Sequence, residues 1–146
     1  MLMSKQSLLS DSQNLAQAAG SYYSTNILDL GAPGTPVRGN QLVRDVGKGT
    51  PIPFLIQVDE TFASGGAATL VVSIEVDDND SFSSATTVWT SPTIALATLA
   101  AGYRFNNVYL PEGVNERYAR IKYVIGTAAM TAGKITAGAA MAIDSL

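Results

Sequence analysis

The chain has 146 residues, of which 47% are hydrophobic and only 14% are charged, and its formal net charge is −3. This length suits a single domain, and an acidic chain whose cations are scattered lacks the basic surface by which proteins bind nucleic acid. It contains no cysteine and no histidine, which excludes disulfides, thiolate metal sites and the most common general base.

The charged fraction is well below the quarter that is typical of globular proteins. We therefore expect part of the surface to be covered by a partner or by further copies of the chain. A surface rich in Ser, Thr and Asn is the alternative explanation.

Residues 1–20 are predicted to form an N-terminal arm in front of a folded domain of residues 21–146. The arm carries Leu8, Leu9 and Leu15, but serines and asparagine dilute their helical spacing. We expect it to order only on docking, so that its deletion leaves a folded domain; a floppy tail is the alternative. Its apolar runs are too short for a secretory signal, and no run in the chain approaches the roughly 20 residues of a membrane helix. Synthesis in the cytoplasm is expected.

A first strand is predicted in residues 21–30, and a long connection follows in residues 31–50. The connection contains five glycines and two prolines, yet it also carries Val37, Leu42, Val43 and Val46. Freely solvated linkers do not need such apolar residues. We expect the connection to fold against a neighbour, with a disordered loop as the alternative.

The central prediction is a hairpin over residues 68–90. Leu70, Val72, Ile74 and Val76 alternate with more polar residues, which is the period of a strand packed on a core. The polar run DDNDS after Val76 favours a turn, and the β-prone run TTVWT follows it.

The remaining elements are also short. Strands are predicted in residues 54–58, 116–125 and 134–144, weak alternation in 103–110, and one helical turn between Ile94 and Gly102. With seven or eight strands and no long amphipathic helix, the chain is predicted to be a single all-β sandwich or jelly roll. The core residues predicted from these alternations are Leu70, Val72, Ile74, Val76, Ile121, Tyr123 and Ile135.

Catalytic patterns are scarce. The chain has no GxSxG motif and no histidine that could activate a serine. Asp59, Glu60 and Glu75 are candidate carboxylates for glycoside hydrolysis, but acids beside turns are more often solvated. The sequence therefore predicts a protein that is not an enzyme and uses no cofactor.

The acidic run Asp77, Asp78 and Asp80 is the one candidate metal site, since calcium prefers several carboxylate oxygens. It lacks the spacing of a helix-flanked calcium loop. A turn stabilised by its own Asp and Asn side chains is the prediction, and calcium is the alternative.

Several segments together resemble the capsid cement (decoration) proteins of tailed phages. They are SLLSDSQ followed by STNILDLG near the start, then GAATLVVSIEVDDNDSFSSATTVW, LAAGYRF and TAGKITAG. The resemblance covers most of the chain in matching order, but these are strand and turn patterns rather than catalytic motifs. Residues 31–50 depart from it, being longer and richer in glycine, so no contact made there is carried over.

The resemblance implies a jelly-roll protein on the outer surface of the virion. Such a protein would bind the major capsid protein across capsomer junctions of the assembled head as a homo-oligomer. Low charge and small residues along 134–144 also favour self-association, with a dimer preferred over a trimer. A carbohydrate-binding or adhesin-like sandwich is the alternative function. The residues predicted to contact the shell or neighbouring copies are Leu8, Leu9, Leu15, Arg38, Leu42 and Arg44.

Overall fold

The computed structural model describes residues 3–107 and 109–141. These residues form an all-β domain, as the sequence predicts. The strands are β1 Met3–Asn14, β2 Gly20–Tyr23, β3 Leu28–Asp29, β4 Phe54–Ser64, β5 Thr69–Asp77, β6 Thr86–Thr90, β7 Ile94–Ala95, β8 Tyr118–Gly126 and β9 Met130–Ala140. Their number exceeds the predicted seven or eight because β3 and β7 have two residues each and β1 lies in the predicted arm.

Helix is limited, within the described part of the chain, to one 3-10 turn at Leu96–Thr98. It lies inside the segment where one helical turn was predicted. None of the described helical structure is long and apolar enough to cross a membrane.

The strands form two antiparallel sheets. Sheet A has the order β1-β9-β4, and sheet B has the order β2-β8-β5-β6, with β3 added to β8 and β7 to β5. The predicted hairpin is the β5–β6 pair, in which Ile74 lies opposite Trp89. Strand β8 pairs with β5 over its full length, from Tyr118 opposite Asp77 to Gly126 opposite Thr69.

The described residues 103–107 and 109–110, which belong to the segment that alternates only weakly in sequence, take the place of a fourth strand in sheet A. The backbone of Phe105 donates to the carbonyl of Ile56 at 3.0 Å, and that of Leu110 to the carbonyl of Ile52 at 2.9 Å. With these residues included, the described chain forms nested pairs: β1 with β9, β2 with β8, β4 with residues 103–107 and 109–110, and β5 with β6. Nested pairs that alternate between two sheets define a jelly roll.

The hydrophobic core lies between the two sheets. All seven residues predicted for it are at most 1% exposed: Leu70, Val72, Ile74, Val76, Ile121, Tyr123 and Ile135. Side chains alternate across a strand, so the residues between them lie on the outer faces. The alternation predicted for β8 is confirmed, because Ala119, Ile121, Tyr123 and Ile125 are all buried. The predicted strand 134–144 extends past β9, and its residues 142–144 lie outside the described part of the chain.

The predicted arm is wrong for the described residues 3–14, which are strand β1. Leu9 is 2% exposed and Leu15 is 1% exposed, both in the core. The strand pairs with β9, and the carbonyl of Leu9 also accepts a hydrogen bond from the backbone of Asn26 on the far side. The predicted boundary at residue 20 therefore runs through one packed domain rather than between an arm and a domain.

A buried polar network fixes β1 against sheet B. The hydroxyl groups of Ser10 and Tyr123 lie 2.8 Å apart, and Ser10 also donates to the side-chain carbonyl of Gln13 at 2.7 Å. Gln13 in turn donates to the carbonyl of Tyr23 at 2.8 Å. Buried polar groups need such partners, so β1 is held in one position relative to β8 and β2.

Candidate interaction surface

The long connection between β3 and β4 has a fixed base. The guanidinium of Arg44 donates to the carbonyls of Leu30 and Gly31, each at 2.7 Å. These bonds close the loop on its own first residues. Arg44, one of the predicted contact residues, thus uses its guanidinium within the chain, and its contact with a shell or a neighbouring copy stays a prediction.

The second half of the base packs on the segment that precedes β8. The backbone of Val46 donates to the carbonyl of Val114, and the carboxylate of Asp45 accepts from the backbone of Gly113, both at 2.9 Å. Gly47 lies so close that an added Cβ would overlap the carbonyl of Pro111. Part of the connection therefore folds against its own domain.

The remaining part, residues 35–43, projects from this base, and we call it the apolar tip. A hydrogen bond of 2.9 Å from the backbone of Leu42 to the carbonyl of Gly34 closes it. Val37 and Val43 are fully exposed, and Leu42 is 56% exposed. Arg38, the one charged residue of the tip, is also exposed. Of the predicted contact residues in the loop, Arg38 and Leu42 are therefore available to a partner.

A shallow groove of about 390 Å³ lies on the outer face of sheet A. Leu8 and Leu55 both lie opposite Gly138 in the register, and Met3, Ser7 and Leu8 occupy the space that a side chain on this glycine would need. Leu8, a predicted contact residue, is only partly exposed there, unlike the buried Leu9 and Leu15. The residues that give the groove its character are Met3, Leu8, Asp11, Leu55, Asp59 and Arg104.

The groove changes character along the strands. Its first end is apolar, with Met3, Leu8 and Leu55, whereas its other end carries the carboxylates of Asp11 and Asp59. Asp59 accepts hydrogen bonds from the hydroxyls of Ser12 and Thr136, which fix its position beside β1. Leu55 and Asp59 are four residues apart on β4, which corresponds to about 13 Å along a strand. The groove therefore offers an apolar end and an acidic end.

The acidic run after β5 forms the predicted turn. Asp77 is nearly buried, and its carboxylate accepts hydrogen bonds from the backbone of Ser84 at 2.8 Å and the backbone of Asn79 at 3.2 Å. Burial raises its pKa, but these hydrogen bonds outweigh that effect and hold the pKa below its usual value. Asp78 accepts from the side chain of Asn79, and Asp80 is exposed. In the described residues, no three acidic side chains are grouped as a metal ion requires.

The carboxylates considered for glycoside hydrolysis are not brought together. Asp59 and Glu60 lie on β4 in sheet A, whereas Glu75 lies on β5 in sheet B. Glu60 forms an ion pair with Lys134 at 2.9 Å. These positions give no pair of facing carboxylates from Asp59, Glu60 and Glu75.

Glu75 belongs to a buried charged cluster that the sequence did not predict. Nε and Nη2 of Arg120 donate to one of its carboxylate oxygens at 2.9 and 2.8 Å, and Lys122 lies 3.4 Å from the other. The Arg120 guanidinium lies 3.7 Å from the ring centre of Tyr23 and 4.2 Å from that of Phe82. The sequence signal that could have revealed this cluster was the opposite charges of Glu75 and Arg120 at facing positions of β5 and β8.

A second arginine–carboxylate pair lies near the base of the loop. Nε and Nη2 of Arg117 donate to the two carboxylate oxygens of Asp29, each at 2.9 Å. Arg117 and the backbone N–H of Gly31 lower the pKa of Asp29 to about 2. Both side chains are more than 40% exposed, so this pair is part of the surface rather than the core.

Comparison with known proteins places this architecture in a family. No curated protein matches the chain. The family model named Bbp16 matches residues 9–139, which run from the first buried leucine of β1 almost to the end of β9. The match thus includes both sheets, the apolar tip and the Arg120 cluster, and the chain belongs to the Bbp16 family.

Proposed function

We propose that this protein is a structural component of a tailed-phage virion, a cement protein that binds the outside of the assembled head across capsomer junctions. The observation that carries the proposal is the apolar tip. Val37 and Val43 are fully exposed on a loop whose base is fixed by Arg44 and Asp45. Exposed apolar groups on an ordered support are typical of a surface that meets a partner, here the shell or a neighbouring copy on it. The resemblance of the sequence to cement proteins supplies the shell partner, the major capsid protein.

Such a role requires binding without turnover. A protein that binds the assembled shell more tightly than free subunits stabilises the shell by mass action. Copies that are linked to one another gain avidity without strong individual contacts. Self-association, with a dimer as the preferred state, is therefore part of the proposal, as is assembly onto heads after synthesis in the host cytoplasm.

Decoration of purified heads tests the proposal. Heads that lack the protein are incubated with the wild-type chain or with a Val37→Ser/Val43→Ser variant, and occupancy and the temperature of head rupture are measured. We expect the wild type to bind and to raise the rupture temperature, and the variant to bind less because it loses apolar contacts. Ile27→Ser, which changes a partly exposed apolar residue outside the loop, is the matched control and should bind like the wild type.

Two results would contradict the proposal. The first is a wild-type chain that does not bind assembled heads at any concentration. The second is binding of a defined glycan on an array together with no effect on head rupture, which would favour a carbohydrate-binding module instead.

A further inference from the structure

We propose that the apolar tip of one copy binds in the groove on sheet A of a second copy. This inference rests on the self-association included in the proposed function and names the surfaces that perform it. The occupant is a second copy because each chain carries both halves of the contact, the projecting tip and the groove.

The charges of the two surfaces are complementary. Arg38 is the one charged residue in the tip, and no acid accompanies it in residues 35–43. The groove carries Asp11 and Asp59 at its acidic end, and both are exposed. Arg104 also lines the groove beside Gln57, so the three charges of its lining sum to −1. An arginine on an entering loop is therefore attracted to the end formed by Asp11 and Asp59.

The apolar groups match in the same way. Val37 is adjacent to Arg38, and Leu42 and Val43 lie on the returning half of the tip. At the other end of the groove lie Met3 and Leu8, both partly exposed. A tip that directs Arg38 to the carboxylates can place its apolar residues on these two side chains, which removes apolar surface of both copies from water.

Binding of the tip of one copy in the groove of another is favoured because the two surfaces are ordered before they meet. Arg44 and Asp45 fix the base of the tip, and the bonds from Ser12 and Thr136 fix Asp59. Preorganised surfaces lose less conformational entropy on binding than a floppy loop does. When each copy also places its own tip in the groove of the other, which we call tip exchange, one two-fold contact uses the tip and the groove of both copies. This arrangement agrees with the closed symmetry of most homo-oligomers.

Charge reversal in trans tests the contact. The full-length chain, Arg38→Glu and Asp11→Lys/Asp59→Lys are compared by sedimentation over a range of concentrations. Each variant alone should self-associate about tenfold more weakly, because an attractive charge pair becomes repulsive. A mixture of the two variants should recover mixed dimers, since the reversed charges again attract. Lys48→Glu makes the same charge change in the same loop, outside the tip, and should sediment like the wild type.

Cysteine cross-linking gives an independent readout, because the natural chain has no cysteine. A Val37→Cys chain mixed with a Leu8→Cys chain should form a mixed disulfide dimer. A Val37→Cys chain mixed with Thr93→Cys, which is exposed on the loop between β6 and β7, should not. This experiment keeps the test valid if substitution of Asp59 disturbs the fold.

The inference is overturned if the wild type sediments as a monomer at every concentration. It is also overturned if neither the charge-reversed mixture nor the Val37 and Leu8 pair forms mixed dimers. Decoration of heads is measured on the same variants, because a chain that decorates heads without the exchange would contradict only this inference. A chain that exchanges tips but does not bind heads would contradict only the proposed function.

Discussion

Arg120 donates two hydrogen bonds to a single carboxylate oxygen of Glu75, at 2.9 and 2.8 Å, across the pair of strands β8 and β5. Both side chains are nearly removed from solvent, with 14% and 6% exposed. The outer face of sheet B is thus not a simple solvated surface. It carries a compensated charge pair covered by the rings of Tyr23 and Phe82.

Removing the arginine from this pair should be costly. Arg120→Ala leaves the carboxylate of Glu75 buried beside only Lys122, and we expect the free energy of unfolding to fall by about 2–4 kcal/mol. Urea unfolding at neutral pH measures it. Arg117→Ala is the matched control, because its pair with Asp29 is exposed, and it should have a much smaller effect that declines with salt. Equal effects of the two substitutions would contradict the buried role of Arg120.

Two neighbouring leucines of β1 should behave differently. Leu9 is in the core, so Leu9→Ala should lower the free energy of unfolding by about 2–5 kcal/mol. Leu8 lies on the outer face, so Leu8→Ala should cost about 1 kcal/mol or less. Thermal and urea unfolding of both variants check the prediction. Deletion of residues 1–20 should unfold the domain. A truncated chain with an unchanged melting point would instead support the prediction that these residues are a separate arm.

Alkaline pH should destabilise the domain through Tyr123. Burial raises the pKa of its phenol well above the usual 10.0. The unfolded chain therefore loses this proton at lower pH than the folded chain, so the stabilising effect is complete below pH 10 and declines as the pH rises above it. Tyr123→Phe should show a smaller loss of stability between pH 9 and 11 in denaturant titrations. The exposed Tyr109→Phe is the control and should keep the wild-type pH profile.

The base of the loop should depend on Gly47. Because a Cβ there would overlap the carbonyl of Pro111, Gly47→Ala should separate the loop from residues 111–114 without unfolding the core. Trypsin cleavage after Arg38 and hydrogen exchange of the Val46 amide should both accelerate. Gly65→Ala, where an added Cβ meets open space, should change neither rate. Unchanged protection of Val46 in Gly47→Ala would contradict this account of the base.

Sequence patterns predicted the strands whose alternation is regular and missed the strand in which it is broken. In β5 and β8, the apolar residues of the core recur at every second position, so the core was identifiable. In β1, Leu8 and Leu9 are adjacent, and bulges between Leu8 and Ser10 and between Ser10 and Gln13 shift the register. A bulged strand shows no period of two, and its residues therefore resembled an unfolded arm.

Features of the candidate surfaces were predictable from the sequence only where they depend on neighbouring residues in the chain. The composition of residues 31–50 indicated a loop with apolar residues, but the pairing of Val46 with Val114 decides which of them are buried. Glu75 was expected in water, yet Phe82, which has a positive φ of 53°, brings its ring back over Arg120. Contacts between segments distant in the chain set both outcomes, and periodicity contains no information about them.

The pairing of β1 with β9 also has a consequence for the order of events during synthesis. Ser7 donates a hydrogen bond to the carbonyl of Ala139, 132 positions further along the chain, and β9 lies between β1 and β4 in sheet A. Until β9 has emerged from the ribosome, the edges of β1 and β4 that pair with it have no partner. Such long-range pairing is also slow to form. The groove on sheet A, to which β9 contributes Thr136, therefore does not exist until translation has passed this strand. Partly made copies therefore lack the groove in which we propose that copies bind one another, and under that proposal folding precedes assembly.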